Sequence, residues 1–119
     1  MDYNLEPRTK EFSKQVLELL SKVKINEINR NIIYQLSKSA TSVGANYREA
    51  NAASSKKDFI NKISICRKEI QETEYWIELL AKTDQKYIDK LRKLWKEAHE
   101  LTLIFGKIYS SLKDKSIKK

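Results

Sequence analysis

The side chains that most often perform catalysis or hold metal ions are scarce in this 119-residue chain, which has a single histidine, His99, and a single cysteine, Cys66. A di-iron site in a helical bundle needs a Glu-x-x-His motif from each of two helices, but Lys96 stands three residues before His99. One cysteine also excludes a thiolate zinc cluster. No glycine-rich phosphate loop occurs. We therefore predict no catalytic residue, no metal site and no cofactor, and we expect a protein that is not an enzyme.

Polar side chains concentrate near the end of the second predicted helix, where Asn46 and Glu49 flank the core positions Tyr47 and Ala50. A half-buried carboxylate needs hydrogen bonds or a cation. We therefore predict that Asn46, Glu49 and Glu69 form a polar network between the second and third helices. The favoured interpretation is a device that fixes helix register, and the alternative is a small-molecule pocket.

Lysine and arginine supply the remaining candidates, because 24 basic residues stand against 16 acidic ones and give a net charge of +8. Such an excess makes nucleic acid the first partner to test. Nine basic residues crowd the ends of the predicted helices, and we predict that they bind nucleic-acid backbones: Arg48, Lys56, Lys57, Lys62, Lys86, Lys90, Arg92, Lys93 and Lys96. Such binding depends on salt and little on base sequence. The alternative is a solvated face that binds nothing.

Four segments repeat apolar residues at helical spacing and must position all of these groups. They run from about Pro7 to Val23, Ile28 to Ala53, Lys56 to Ala81 and Gln85 to Leu112. The connections are short and polar, which folds consecutive helices back on one another. We predict an all-α, antiparallel up-down four-helix bundle that fills residues 1–112 as a single domain, followed by a basic flexible tail at residues 113–119.

Small residues fill positions 37–45 of the second predicted helix, where Gly44 costs about 1 kcal/mol relative to alanine. We interpret this stretch as close helix packing, with a ligand-binding notch as the alternative.

Four aromatic residues widen the apolar faces of the third and fourth helices: Tyr75, Trp76, Trp95 and Tyr109. We interpret them as an oligomer interface, with a broad core-facing surface as the alternative.

The cellular compartment is predicted from what the chain lacks. No apolar run is long enough to span a bilayer, and no basic-then-apolar signal segment stands at the start. A single cysteine fits a reducing compartment. We therefore expect a cytoplasmic protein without a membrane partner.

Two blocks of sequence carry a resemblance to a known family. Residues 36–50 are LSKSATSVGANYREA, and residues 55–59 are SKKDF. Together with ETEYW at residues 72–76 and the run at residues 100–112, they resemble the bacterial four helix bundle protein family. Its members are also called ribosomal-RNA intervening-sequence proteins, because some are encoded within insertions in large-subunit ribosomal RNA genes. The resemblance covers nearly the whole chain, although Cys66 stands where a small residue such as alanine is expected.

The resemblance implies an antiparallel four-helix bundle that assembles as a homopentameric barrel with a central channel. One branch of the family contains accessory proteins of diversity-generating retroelements, which partner a reverse transcriptase and bind nucleic acid. The family is not known to be enzymatic. We therefore expect a non-enzymatic homo-oligomer that binds RNA or DNA through repeated basic surfaces. The alternative is a protein-interaction scaffold, such as a reverse-transcriptase accessory subunit, and the sequence leaves the branch open.

Overall fold

The computed structural model describes residues 3–117, and it describes the side chains of residues 3–114. Four helices follow one another along the chain: α1 (Leu5–Lys22), α2 (Arg30–Asn51), α3 (Lys56–Thr83) and α4 (Ile88–Ile117). The described residues contain no β-strand. The helices pack into an elongated bundle of 51 × 23 × 21 Å. The predicted all-α four-helix bundle is confirmed.

Contacts between neighbouring helices show that each runs antiparallel to the one before it. Between α2 and α3, Lys62 contacts Glu49 while Thr73, later in the chain, contacts the earlier Ser39. Between α3 and α4, Trp95 bonds to Glu78, and His99 lies beside the earlier Glu74. The short polar connections therefore reverse the chain, as the sequence predicts.

The helix ends follow local hydrogen-bonding rules in two places. Ser55 precedes α3, and its hydroxyl accepts a hydrogen bond from the Asp58 backbone N–H at 3.0 Å, as its position in a capping motif predicts. In the connection between α1 and α2, the buried Asn29 accepts a bond from the Asn26 backbone and donates one to the Lys24 carbonyl. These bonds hold a tight turn that the sequence pattern does not reveal.

The core lies along the predicted apolar stripes. The apolar stripe of α3 has seven residues, which step by four and three alternately from Phe59 to Leu80. Six of the seven are fully buried: Ile63, Cys66, Ile70, Thr73, Ile77 and Leu80. The seventh, Phe59, is partly buried against the core. Large side chains from the other helices complete it, including Phe12, Leu36 and Phe105, each 1% exposed or less. Burial of these faces is the main contribution to bundle stability.

The last helix differs from its predicted bounds at both ends. It begins at Ile88 rather than Gln85, because the Asp84 carboxylate accepts a bond from the Lys86 N–H and holds a turn there. It continues to Ile117, so the backbone of residues 113–117 is helical where the sequence predicts a tail. Lys118 and Lys119 of that tail lie outside the described residues. Across the part of the chain that the structure describes, no helix is both long and apolar enough to cross a membrane.

Candidate nucleic-acid interface

Five basic side chains form an exposed surface along the first half of α4 and the turn before it. We call this the α4 basic surface: Lys86, Lys90, Arg92, Lys93 and Lys96. Their positions follow from the helix, which turns Leu91, Leu94 and Ala98 into the core and leaves these side chains outside. All five predicted residues are therefore exposed, four of them on the first half of α4 and Lys86 in the turn before it.

Few carboxylates balance the α4 basic surface. Among the ion pairs of residues 3–114, one involves it: Arg92 lies 4.0 Å from Asp89, with both side chains exposed to solvent. Lys86 lies over the Tyr87 ring at 5.5 Å from its centroid. Exposed ion pairs of this kind contribute little. The surface consequently keeps nearly all of its positive charge.

The other predicted basic residues lie at the opposite end of the bundle, and carboxylates pair with two of them. Arg48 lies 3.7 Å from Glu6, and Lys62 donates to Glu49 at 3.0 Å. The hydrogen bond that Lys62 donates to the Glu49 carboxylate raises the pKa of Lys62. Lys56 and Lys57 are exposed, and they line a cavity of about 380 Å³ with Ile60, Asn61 and Lys113. The start of α3 thus lies near the C-terminal basic segment, as predicted, but this zone is more nearly balanced in charge.

A cleft opens between α1 and the first half of α4. This α1–α4 cleft has a volume of about 170 Å³, and its lining consists of Gln15, Glu18, Leu19, Lys22, Lys90, Lys93 and Leu94. Leu19 and Leu94, which are 4% and 5% exposed, form its floor. The lysines stand around it, with Lys22 at 3.6 Å from Glu18. Local sequence patterns do not reveal this cleft, because its two walls are about 70 residues apart along the chain.

Two polar contacts hold α1 against α4 on either side of the cleft. The Arg8 guanidinium donates to both carboxylate oxygens of Glu97 at 2.8 Å, and it lies 3.1 Å from Glu100. These carboxylates raise the Arg8 pKa, with the Glu97 hydrogen bond the largest cause. Beyond the other end of the cleft, the Tyr87 hydroxyl donates to the Lys22 carbonyl at 3.0 Å. The cleft therefore has walls of fixed spacing.

The predicted polar residues Asn46, Glu49 and Glu69 have separate surroundings. Asn46 donates to the carbonyl and hydroxyl of Ser42, one turn earlier on its own helix. Glu49 is exposed and pairs with Lys62 on α3. Burial raises the pKa of Glu69, which lies near Glu72. Among the described side chains, no hydrogen bond joins these three to one another, so the structure does not bring them together as one network.

A polar cluster that the sequence does not predict surrounds His99 on the α3–α4 face. The His99 ring is exposed and stacks on Trp95, with centroids 4.9 Å apart and planes 7° apart. Its Nδ1 lies 3.2 Å from Glu74, and the Thr102 hydroxyl donates to the other oxygen of that carboxylate. The Trp95 indole N–H donates to Glu78 at 3.0 Å. His99 is thus a surface residue of α4, and its carboxylate partner Glu74 lies on the preceding helix, α3.

Three of the four aromatic residues predicted at an oligomer interface contribute to the packing of their own chain. Trp76, Trp95 and Tyr109 are partly buried against the core. Tyr109 also lies under the Arg67 guanidinium, at 5.7 Å from the ring centroid. Tyr75 is 55% exposed and meets Trp76 edge to face at 5.0 Å. Tyr75 is therefore the member of this set that presents most of its ring to solvent.

The small residues of α2 allow its neighbours to approach closely. A Cβ on Gly44 would lie 3.2 Å from the Thr9 hydroxyl oxygen of α1. On the side facing α3, the Thr73 hydroxyl donates to the buried Ser39 at 2.9 Å. These contacts favour the interpretation of close helix packing. Gly44 also lines a groove of about 700 Å³ between α1 and α2.

The groups that could do redox or metal chemistry are few. Burial raises the pKa of Cys66 to about 12, and its thiol is fully buried, with Sγ 3.5 Å from the Val43 carbonyl oxygen. Among the described residues, no three histidine, cysteine or acidic side chains are grouped to hold a metal ion. The basic surface and the cleft are therefore the candidate functional features of the molecule.

Comparison with known proteins identifies two similarities. The family model for the 23S rRNA-intervening sequence protein matches residues 2–107. A crystal structure of a protein with unknown function, from the S23 ribosomal protein family of Bacteroides thetaiotaomicron, has a TM-score of 0.78 and 34% sequence identity. The similarity covers 87% of this chain and 96% of that one. No curated protein matches the chain.

Proposed function

The chain belongs to the 23S rRNA-intervening sequence protein family, and from that premise we propose that it is a non-enzymatic, homo-oligomeric bundle that binds RNA or DNA backbones. The α4 basic surface is the contact site. Lysine and arginine side chains neutralise backbone phosphates and release counterions, and they do so without reading base sequence. The exposed cations that we assign to this role are those of the first half of α4.

The observation that carries this proposal is the lack of charge compensation along the α4 basic surface. Lys90, Lys93 and Lys96 enter no ion pair among residues 3–114, whereas Arg48 and Lys62 at the other end are paired with Glu6 and Glu49. Exposed cations without carboxylate partners can contact phosphates without first breaking an ion pair. These three lysines therefore keep their charge available for contacts with phosphates.

A salt titration tests the proposal directly. Fluorescence anisotropy with a labelled 20-nucleotide RNA, measured between 50 and 300 mM salt, is expected to show log affinity falling linearly with log salt concentration. About five phosphate contacts on a single strand correspond to a slope of about −3.5. No binding at 50 mM salt, or binding without a salt slope, would overturn the proposal.

A matched pair of variants locates the contact. Replacing Lys93 and Lys96 with alanine is expected to lower the slope by about 1.4, because two phosphate contacts are lost. Replacing the exposed Lys10 and Lys14 of α1 removes the same charge from a different face and is expected to leave the slope nearly unchanged. Equal effects of the two pairs would show that net charge alone drives binding.

A protein partner is the competing function: the basic surface would then bind an acidic protein or a reverse transcriptase. A tagged pull-down from the native cell, with and without nuclease treatment, separates the two functions. Loss of the bound material on nuclease treatment supports the nucleic-acid function. A reverse transcriptase that stays bound after nuclease treatment supports the scaffold function.

Assembly is the second part of the proposal. Exposed large apolar side chains, including Tyr34, Tyr75 and Leu103 at 55–61% exposure, provide surface for contacts between copies. Light scattering should give about 70 kDa for five copies of the 14.0 kDa chain. Replacing Tyr75 with serine should lower that mass without unfolding the bundle. A 14.0 kDa particle at all micromolar concentrations would refute assembly.

A further inference from the structure

We propose that the α1–α4 cleft binds one nucleotide unit of a single-stranded nucleic acid. In this arrangement the phosphate lies between Lys90 and Lys93, and the base lies against Leu19 and Leu94. The inference rests on the proposed nucleic-acid function and adds to it a specific pocket, a bound unit and a preference for single strands.

The charges around the cleft favour an anion. Lys90 and Lys93 are three residues apart on α4, so they project from neighbouring positions on the same side of the helix. Lys22 faces them from the end of α1, and Glu18 is the one carboxylate among the lining residues. The Glu18–Lys22 pair is 3.6 Å long, with side chains 72% and 47% exposed. Such a pair is weak, so a phosphate can take over Lys22 as a partner.

The floor of the cleft distinguishes it from the rest of the α4 basic surface. A bare phosphate needs only cations, whereas the cleft also offers apolar surface beneath the ammonium groups. Leu19 and Leu94 are 4% and 5% exposed, so they contribute a small part of this surface, and the aliphatic stems of the lining lysines add to it. Burying apolar surface contributes about 25 cal/mol per Å². The flat face of a base can use this surface, because the cleft of about 170 Å³ lies close to the cations.

This combination favours an unpaired strand. In a duplex each base is paired and stacked on both faces, so a duplex presents phosphates, sugars and base edges to the cleft but no face of a base. A single strand can turn one base away from its neighbours at little cost. The Arg8 and Tyr87 contacts hold the cleft walls in place before binding, which reduces the entropy lost on binding.

Affinity measurements with matched variants form the first test. Replacing Lys90 and Lys93 with alanine should weaken binding of a 20-nucleotide single-stranded RNA at least tenfold. Replacing the exposed Lys10 and Lys14, which line the groove between α1 and α2, removes equal charge from another face and should cost less than threefold. Wild-type protein should also prefer the single strand to a duplex of equal length by about tenfold.

Glu18 supplies a test with the opposite sign. Replacing Glu18 with glutamine removes the carboxylate from the cleft and should tighten RNA binding two- to threefold. The matched control is Glu72→Gln, which removes one exposed carboxylate from α3 and should leave the affinity nearly unchanged. Equal gains in both variants would assign the effect to net charge and overturn the inference.

Methyl NMR of Leu19 and Leu94 identifies what enters the cleft. Adenosine monophosphate should shift both leucine signals, and inorganic phosphate at the same concentration should not. Equal shifts from phosphate would reduce the cleft to a simple anion site and overturn the inference. A polyglutamate peptide that competes with RNA as well as unlabelled RNA does would assign the cleft to acidic chains instead.

The outcomes separate the inference from the function on which it rests. If wild-type protein binds no RNA at low salt, the proposed function fails and the inference fails with it. If wild-type protein binds RNA but the Lys90/Lys93 and Lys10/Lys14 variants lose affinity equally, the inference alone fails. Circular dichroism melts of each variant confirm that the bundle remains folded, as expected for exposed side chains.

Discussion

The two glycines of the bundle both lie inside helices, Gly44 in α2 and Gly106 in α4. Comparing the stability of an alanine variant at each glycine isolates the effect of the close approach of α1 to α2 at Gly44. Replacing either with alanine gains about 0.8–1 kcal/mol of helix propensity. The two substitutions differ in what the new Cβ meets, so the difference between them measures the packing at Gly44.

The space around each glycine sets the expected magnitudes. At Gly106 the nearest neighbour of a new Cβ is the Arg67 Nε at 3.7 Å, an ordinary contact. Gly106→Ala should therefore raise the free energy of unfolding by about 0.5–1 kcal/mol. At Gly44 the new Cβ meets Thr9 at 3.2 Å and its backbone carbon at 3.5 Å. Overpacking of this kind costs about 1–3 kcal/mol, so Gly44→Ala should be neutral or destabilising by up to about 2 kcal/mol.

Urea unfolding followed by tryptophan fluorescence measures both variants, at one fixed protein concentration because assembly shifts apparent stability. A Thr9→Ala background gives the control. Thr9 is 1% exposed, and its hydroxyl is the atom nearest the new Cβ. Removing it should lessen the cost of Gly44→Ala, which a double-mutant cycle detects as coupling. Equal stabilisation by Gly44→Ala and Gly106→Ala would refute the close approach of α1.

Four further predictions follow from contacts described above. Arg8→Lys should lower the free energy of unfolding in urea by about 1–2 kcal/mol, because lysine cannot reproduce the two hydrogen bonds to Glu97. The control Arg48→Lys, at an exposed ion pair of 3.7 Å with Glu6, should lower it by less than about 0.5 kcal/mol. Equal losses in the two variants would contradict this reasoning. Asn29→Ala should cost about 2 kcal/mol, because it removes both hydrogen bonds by which the buried Asn29 side chain holds the turn before α2. An unchanged unfolding midpoint would contradict this. Cys66 should react with a thiol reagent only when the protein unfolds. Its pKa of about 12, in place of 9.0, lowers the thiolate fraction near neutral pH about a thousandfold. If the reagent labelled the native protein as fast as it labels a free thiol, the buried position of Cys66 would be excluded. The folded state raises the Glu69 pKa above 4.5, so ionisation of Glu69 opposes folding. The variant Glu69→Gln should match the stability of the wild type below that pH and become relatively more stable as pH rises above it. A constant difference between the unfolding free energies of the two proteins across this pH range would refute the assignment.

Helix number, order and buried faces could be predicted from sequence because they depend on local periodicity. The α3 stripe and the Ser55 cap are examples, since spacing within one helix fixes both. The exposed cations of α4 could be predicted for the same reason. The start of α4 was placed one turn too early, because apolar periodicity does not register the Asp84 turn.

Contacts between helices could not be predicted, because they depend on the rotation of each helix about its own axis. Arg8 and Glu97 are 89 residues apart, and no spacing rule relates them. The same limitation affected the polar residues: Asn46 and Glu69 lie on neighbouring helices, yet Asn46 bonds to its own helix. The width of the aromatic faces could be seen in the sequence, but which rings turn inward required the packed bundle.

The α1–α4 cleft also affects how the bundle moves. α1 packs less extensively against its neighbours than the other three helices do, and a helix of this kind opens at a lower free energy. Amide hydrogens of α1 will therefore exchange with solvent through rare openings that break the Arg8 and Tyr87 contacts while α2, α3 and α4 stay associated. A ligand seated in the cleft touches both walls, so it binds only the closed form. By thermodynamic linkage, occupancy of the cleft and protection of the α1 amides from exchange then rise together.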